Sequence, residues 1–115
     1  MYVFPVVTKG DDTLKYVFPT KQRAAQTAIT LARADDRIDR LVIFGSAVTM
    51  QCGMKSDIDI AIDAPGVSEE DFMKLARGFY RGIDSEVDVI HYNTIRNGLL
   101  KREIDEKGVN VYVKR

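Results

Sequence analysis

The sequence predicts an α/β domain: a mixed β-sheet with helices packed on it, preceded by an N-terminal β-hairpin. Three observations predict this. The run Leu41-Val42-Ile43-Phe44 is short, apolar and stopped by Gly45, which is how a buried strand reads. Residues 57–63 alternate strictly, with Asp57, Asp59, Ala61 and Asp63 against Ile58, Ile60 and Ile62. Residues 86–90 alternate again, setting Glu86 and Asp88 against Val87 and Val89, while the stretches between carry apolar residues at helical spacing.

Taken in order, residues 2–7 and 14–18 read as two strands joined by the turn-rich link Lys9-Gly10-Asp11-Asp12. Tyr-Val-Phe-Pro occurs in both, and Pro5 confines its strand to an edge. This hairpin, residues 1–19, reads as a lid on the sheet or a contact surface. Thr20 is placed to cap a helix running to about Ala34, with Ala24, Ala28, Ile29, Leu31 and Ala32 as its buried stripe. The charged link 35–39 leads into the strand 41–44. Ser46 then opens a short helix whose hydroxyl and N–H groups suit phosphate, and Cys52 and Gly53 lie in the loop before the strand 57–63.

Asp63-Ala64-Pro65-Gly66 ends that strand in a turn. Ser68 followed by Glu69-Glu70-Asp71 starts the next helix, because a serine cap and early acids both answer the free N–H groups there. Phe72, Leu75, Ala76 and Phe79 form its buried stripe, and Gly82 ends it. The strand 86–90 follows. His91, the only histidine, falls on the face opposite Asp88 and reads as a packing residue rather than a general base. Asn93 or Thr94 is expected to cap a last helix, Ile95–Lys107, carrying Ile95, Leu99, Leu100 and Ile104 inward. Gly108 stops it, and Val109–Val113 closes the sheet.

Composition sets the outer limits. A chain of 115 residues is one domain with enough length to bury a core. Seventeen basic and seventeen acidic residues balance, so there is no overall basic footprint for nucleic acid. The single cysteine forbids an internal disulfide and fits a reducing cytoplasm. No signal-peptide pattern opens the sequence and no apolar run is long enough to span a membrane.

The chemistry lies in the carboxylates. Successive residues on one strand face are about 6.6 Å apart, so Asp57 and Asp59 can converge on a metal pair. Asp88 joins them if its strand lies alongside. Three carboxylates on one surface repel one another unless a cation lies between them, and oxygen ligands suit Mg²⁺ or Mn²⁺.

Gly45-Ser46, then Ser56-Asp57-Ile58-Asp59-Ile60, then a strand carrying Asp88, resembles the nucleotidyltransferase superfamily that includes DNA polymerase beta, and its small prokaryotic members most of all. The resemblance implies that residues 20–115 form a nucleotidyltransferase domain. It implies that Gly45 and Ser46, with Ser56 beside them, hold a nucleoside triphosphate such as ATP. It implies that Asp57, Asp59 and Asp88 are the catalytic and metal-holding residues, with Mg²⁺ or Mn²⁺ as cofactor. The implied activity is transfer of a nucleoside monophosphate to an acceptor hydroxyl, with a partner protein as acceptor in an antitoxin-type pairing with a HEPN toxin. One departure is visible: small members carry a basic residue in a Gly-Ser-Arg-x-x-Gly pattern, whereas here the stretch is Ala47-Val48-Thr49-Met50, leaving Lys55 to supply charge. The alternative reading is therefore a non-catalytic relative that binds its partner without transferring anything, alone or as an oligomer.

Overall fold

The computed structural model describes residues 21–45 and 58–114. Over these the chain forms α1 (Gln22–Arg33), β1 (Arg40–Phe44), β2 (Ile58–Asp63), α2 (Glu69–Gly82), β3 (Val87–His91), a 3₁₀ turn at Tyr92–Thr94, α3 (Gly98–Lys107) and β4 (Val109–Val113). The expected hairpin at 1–19, the Thr20 cap, and the segment from Ser46 to Asp57 lie outside the described residues.

The strands form one four-stranded sheet in the order β3-β2-β1-β4. β1 is antiparallel to both β2 and β4, whereas β2 and β3 are parallel, so the sheet is mixed as expected. A parallel pair needs a crossover, and α2 supplies it. The backbone N–H of Ile58 donates to Glu86 O at 3.1 Å, which pins the start of β2 to the start of β3.

Strand alternation divides the core into two layers. Ile58, Ile60 and Ile62 point with Leu41, Ile43, Val87 and Val89 into a large cluster under α1 and α2. The three β2 isoleucines are fully buried, each worth roughly 1.5–3 kcal/mol relative to exposure. Ala25, Ala28 and Ala32 have no accessible surface, and these small side chains let α1 lie close on the sheet. The other face carries a smaller cluster of Val42, Phe44, Ala61 and Ile104 under α3. The aspartates of β2 and β3 belong to this second, thinner side.

The caps explain where the helices begin and end. Ser68 Oγ accepts from Asp71 N at 3.2 Å, and Glu69, Glu70 and Asp71 fill the first turn of α2 as the sequence predicts. The last helix differs from expectation: it starts at Gly98, not Ile95, because Asn97 Oδ1 accepts from both Leu99 N and Leu100 N. Asn93 is drawn away instead, with its side chain bridging Ala64 N and Asp63. Leu99 was expected inward and is 78% exposed. Gly108 ends α3 with extended backbone (φ −70°), so left-handed freedom is not its purpose. A Cβ there would lie 2.5 Å from both Ile104 O and Val42 Cγ1, so glycine lets the chain turn tightly onto the sheet.

Ahead of β1, Arg37 donates to both oxygens of Asp35, and these hydrogen bonds hold the Asp35 carboxyl below its ordinary range. Of the three aspartates in this link, Asp36 and Asp39 are exposed, whereas Asp35 is engaged by Arg37. No helix among the described residues is long and apolar enough to cross a membrane.

Candidate active site

Asp59 lies on the α3 side of β2, with buried Ala61 following on the same face. Its cross-strand neighbour on one side is Phe44 of β1, and on the other it is Asp88 of β3, directly opposite in the parallel register. Adjacent strands run about 4.8 Å apart, so the pairing brings two acidic side chains to one spot. Asp59 is half-buried and Asp88 exposed, which gives the pair a protein-facing and a solvent-facing member.

Gly45 completes this corner. It is the one described residue with positive φ, at 73°, a region that an L side chain enters only at a cost. A Cβ built on Gly45 would run into Asp59 Oδ2. Glycine is required here twice over, for the turn out of β1 and for the space the carboxylate occupies. The combination is a cradle: an open main-chain corner, a carboxylate held against it, and a second carboxylate alongside. Oxygen donors in that arrangement fit a hard divalent cation. The sequence placed Gly45, Asp59 and Asp88 in one site, and the fold brings these three together. Ser46, Ser56 and Asp57 lie outside the described residues, and among the described residues no cluster of three ligand side chains forms.

Asp63 shares the carboxylate face but belongs to a different structure at the far end of β2. It accepts from Arg40 Nε at 3.3 Å and from Asn93 Nδ2 at 2.9 Å. Four residues of strand, roughly 13 Å, separate it from Asp59. Beside it the Tyr92 ring has Arg40 4.8 Å and Lys101 5.2 Å from its centroid, and its hydroxyl donates to Asp105 Oδ1 at 2.6 Å. That hydrogen bond to a carboxylate raises the Tyr92 pKa. This network ties α3 to the sheet and had no signal in the sequence, because its members are scattered from position 40 to position 105.

His91 is a packing residue, as its face predicts. It is buried, stacks on Phe72 with ring centroids 4.3 Å apart and planes 4° from parallel, and lies 2.9 Å from Ala64 O through Nε2. A carbonyl only accepts, so Nε2 carries the proton and donates. Nδ1 is buried without a partner among the described residues. His91→Ala is expected to lower stability in urea unfolding by about 2–4 kcal/mol, through the lost stack, hydrogen bond and volume. The same variant should keep any transfer activity, and a stable variant without activity would make His91 a base after all.

A model of the polymerase beta nucleotidyltransferase family matches residues 26–115. The chain belongs to that family. The match takes in β1 to β4, α2, α3 and most of α1, so Gly45, Asp59 and Asp88 all lie inside the nucleotidyltransferase domain. Solved structures agree in fold. A chain of a toxin–antitoxin structure with AMP-PNP superposes with a TM-score of 0.64 at 23% identity, covering 78% of this chain and 73% of the other. A chain of the tri-AMPylated Shewanella oneidensis HEPN toxin in complex with MNT antitoxin gives 0.61 at 23% identity, covering 82% and 73%. A Sulfolobus solfataricus protein described as a candidate nucleotidyltransferase gives 0.55 at 22% identity, covering 95% and 94%. No curated protein matches at a significant level.

Proposed function

We propose that this chain transfers a nucleoside monophosphate from an NTP, ATP in the first instance, to a hydroxyl of a partner protein of the HEPN type, as an antitoxin-type enzyme. The observation that carries the reading is the in-register pair Asp59 and Asp88 against the Gly45 corner. Two relatives support it by what they contain: one structure has AMP-PNP bound, and another holds a HEPN toxin that is tri-AMPylated. In this reading Gly45, Ser46 and Ser56 cradle the phosphates, since a glycine corner followed by a hydroxyl presents N–H and O–H donors. Asp57, Asp59 and Asp88 would hold Mg²⁺ or Mn²⁺, which when bound neutralises triphosphate charge and acidifies the acceptor hydroxyl. The hydroxyl oxygen attacks the α-phosphorus, the α–β anhydride bond breaks, and pyrophosphate leaves. Asp88, the solvent-facing carboxylate, orients the incoming hydroxyl and receives its proton. Asp59, held against Gly45, would hold the cation that faces the triphosphate.

The test is incubation of the chain with α-labelled NTPs, Mg²⁺ and a purified HEPN-type partner. Label on the partner supports the reading. A stable complex without label, with any NTP, would instead favour a non-catalytic binding module, a reading that the Ala47-Val48-Thr49-Met50 stretch keeps open because it lacks the basic residue.

Metal binding has its own readout. A ligand that binds only the native state raises stability by RT ln(1 + [L]/Kd), about 2.7 kcal/mol at a hundredfold excess over Kd. For a domain of this size that is roughly 10 °C in Tm. Mn²⁺ should produce such a shift in differential scanning fluorimetry, and Asp57→Asn with Asp59→Asn should remove it. A double variant that keeps the full shift rules these carboxylates out as the metal site.

A further inference from the structure

We infer that the outer face of α2 is the surface on which an acidic segment of the acceptor protein docks. The inference rests on the reading of the chain as a transferase acting on a protein. Between Phe72 and Gly82 the helix carries Lys74, Arg77 and Arg81 and no acid. Their spacing of three and four places them on one helix face, and all three are exposed. Among the described residues the ion pairs are Arg37–Asp35 and Arg40–Asp63, so none of the three cations is paired. Next to them, Met73 is 65% and Tyr80 47% exposed, two of the few large apolar side chains left on this surface. A neutral chain that gathers unpaired cations and two contact-forming side chains on one helix face presents a partner surface of defined sign.

The strip lies against β3, the strand that carries Asp88. Among the described residues β3 is an edge strand, and its Val89 N–H donates to the Tyr80 hydroxyl at 3.1 Å. Val89 faces α2, whereas its chain neighbour Asp88 lies on the opposite face of the sheet, so a segment docked on α2 reaches the acid pair only by passing around the β3 edge.

The length of the strip favours an acidic peptide over nucleic acid. Lys74 to Arg81 spans about 10 Å of helix. Beyond one end lie Glu69, Glu70 and Asp71, and beyond the other Asp84, Glu86 and Asp88. A phosphate backbone extending past the strip meets carboxylates at both ends, whereas a short acidic segment does not.

The probe is the random copolymer poly(Glu,Tyr), which carries both acid groups and acceptor hydroxyls, with poly(Lys,Tyr) as its opposite. Binding to the full chain is followed by fluorescence anisotropy without nucleotide. The expected result is binding of the acidic copolymer only, weakened by added salt. Lys74→Glu with Arg77→Glu and Arg81→Glu should reduce that affinity at least about tenfold and turn the preference toward poly(Lys,Tyr), with an unchanged circular dichroism spectrum. Should that variant fail to fold, the three glutamine replacements give the same loss without the reversal. Unchanged affinity in the folded variants, a wild-type preference for poly(Lys,Tyr), or tighter binding of a single-stranded RNA oligonucleotide overturns the proposal. Since no nucleotide is present, strip-dependent binding by a chain that transfers nothing supports the docking surface and sinks only the catalytic reading beneath it.

Discussion

Asp88→Ala is expected to cut nucleotidyl transfer by roughly 10²–10⁴-fold, the usual contribution of a positioned proton-transfer group, while the Kd for NTP moves by no more than about threefold. The asymmetry follows from geometry. Asp88 is the exposed member of the pair, on the edge strand, and Asp59 is the half-buried member next to Gly45. Removing the outer carboxylate strips the acceptor side and leaves the phosphate side intact, so the loss falls on kcat. Stability should hardly change, because an exposed side chain on an edge strand buries little. Single-turnover kinetics beside NTP titration will check this. Equal losses in affinity and rate would place Asp88 on the nucleotide, and an unchanged rate would remove it from the chemistry.

Gly45→Ala should come close to that loss by a different route. Alanine at φ 73° costs about 1–2 kcal/mol in backbone strain, and its methyl group takes the place of Asp59 Oδ2. The carboxylate must rotate away or the end of β1 must shift. A misplacement on the order of 1 Å at a reacting centre costs about 10²-fold in rate. Transfer should fall by about that factor, while urea unfolding shows a loss of only about 1–3 kcal/mol. Gly78→Ala is the control: nothing lies within 4 Å of a Cβ there, so a helix-interior alanine should stabilise α2 by about 0.5–1 kcal/mol and leave the rate alone. If Gly45→Ala transfers at the wild-type rate, the close approach to Asp59 has no functional meaning.

Period-two alternation made β2 and β3 legible from sequence, because an error of one residue would turn three isoleucines to the carboxylate face. The α2 boundaries were legible for the same kind of reason: Ser68 and three acids leave one place for the helix to begin. The α3 start was not. Asn93, Thr94 and Asn97 are all competent caps, and the choice depends on Asn93 being pulled to Ala64 and Asp63, a contact far away in sequence. Leu99 was misplaced with the helix start. In the site, the proximity of Asp59 and Asp88 depended on strand order, which alternation cannot give. The charged face of α2 was hidden by a zero net charge, since clustering appears only when residues are placed on a surface. The Arg40, Tyr92 and Asp105 network was beyond reach, as three unremarkable surface residues acquire meaning only through the crossing of α3 over the sheet.

The parallel pairing of β2 with β3 also governs when the site comes into being. β1 and β2 are joined antiparallel, but Asp88 meets Asp59 only after α2 has crossed over and β3 has docked. Non-local parallel contacts are slow to form because the intervening loop must be closed before they are rewarded. A chain emerging from the ribosome therefore carries its glycine corner and Asp59 before it carries the Asp59–Asp88 pair, and a product truncated before β3 cannot assemble one. In the proposed transferase, competence for chemistry is thereby coupled to completion of the fold.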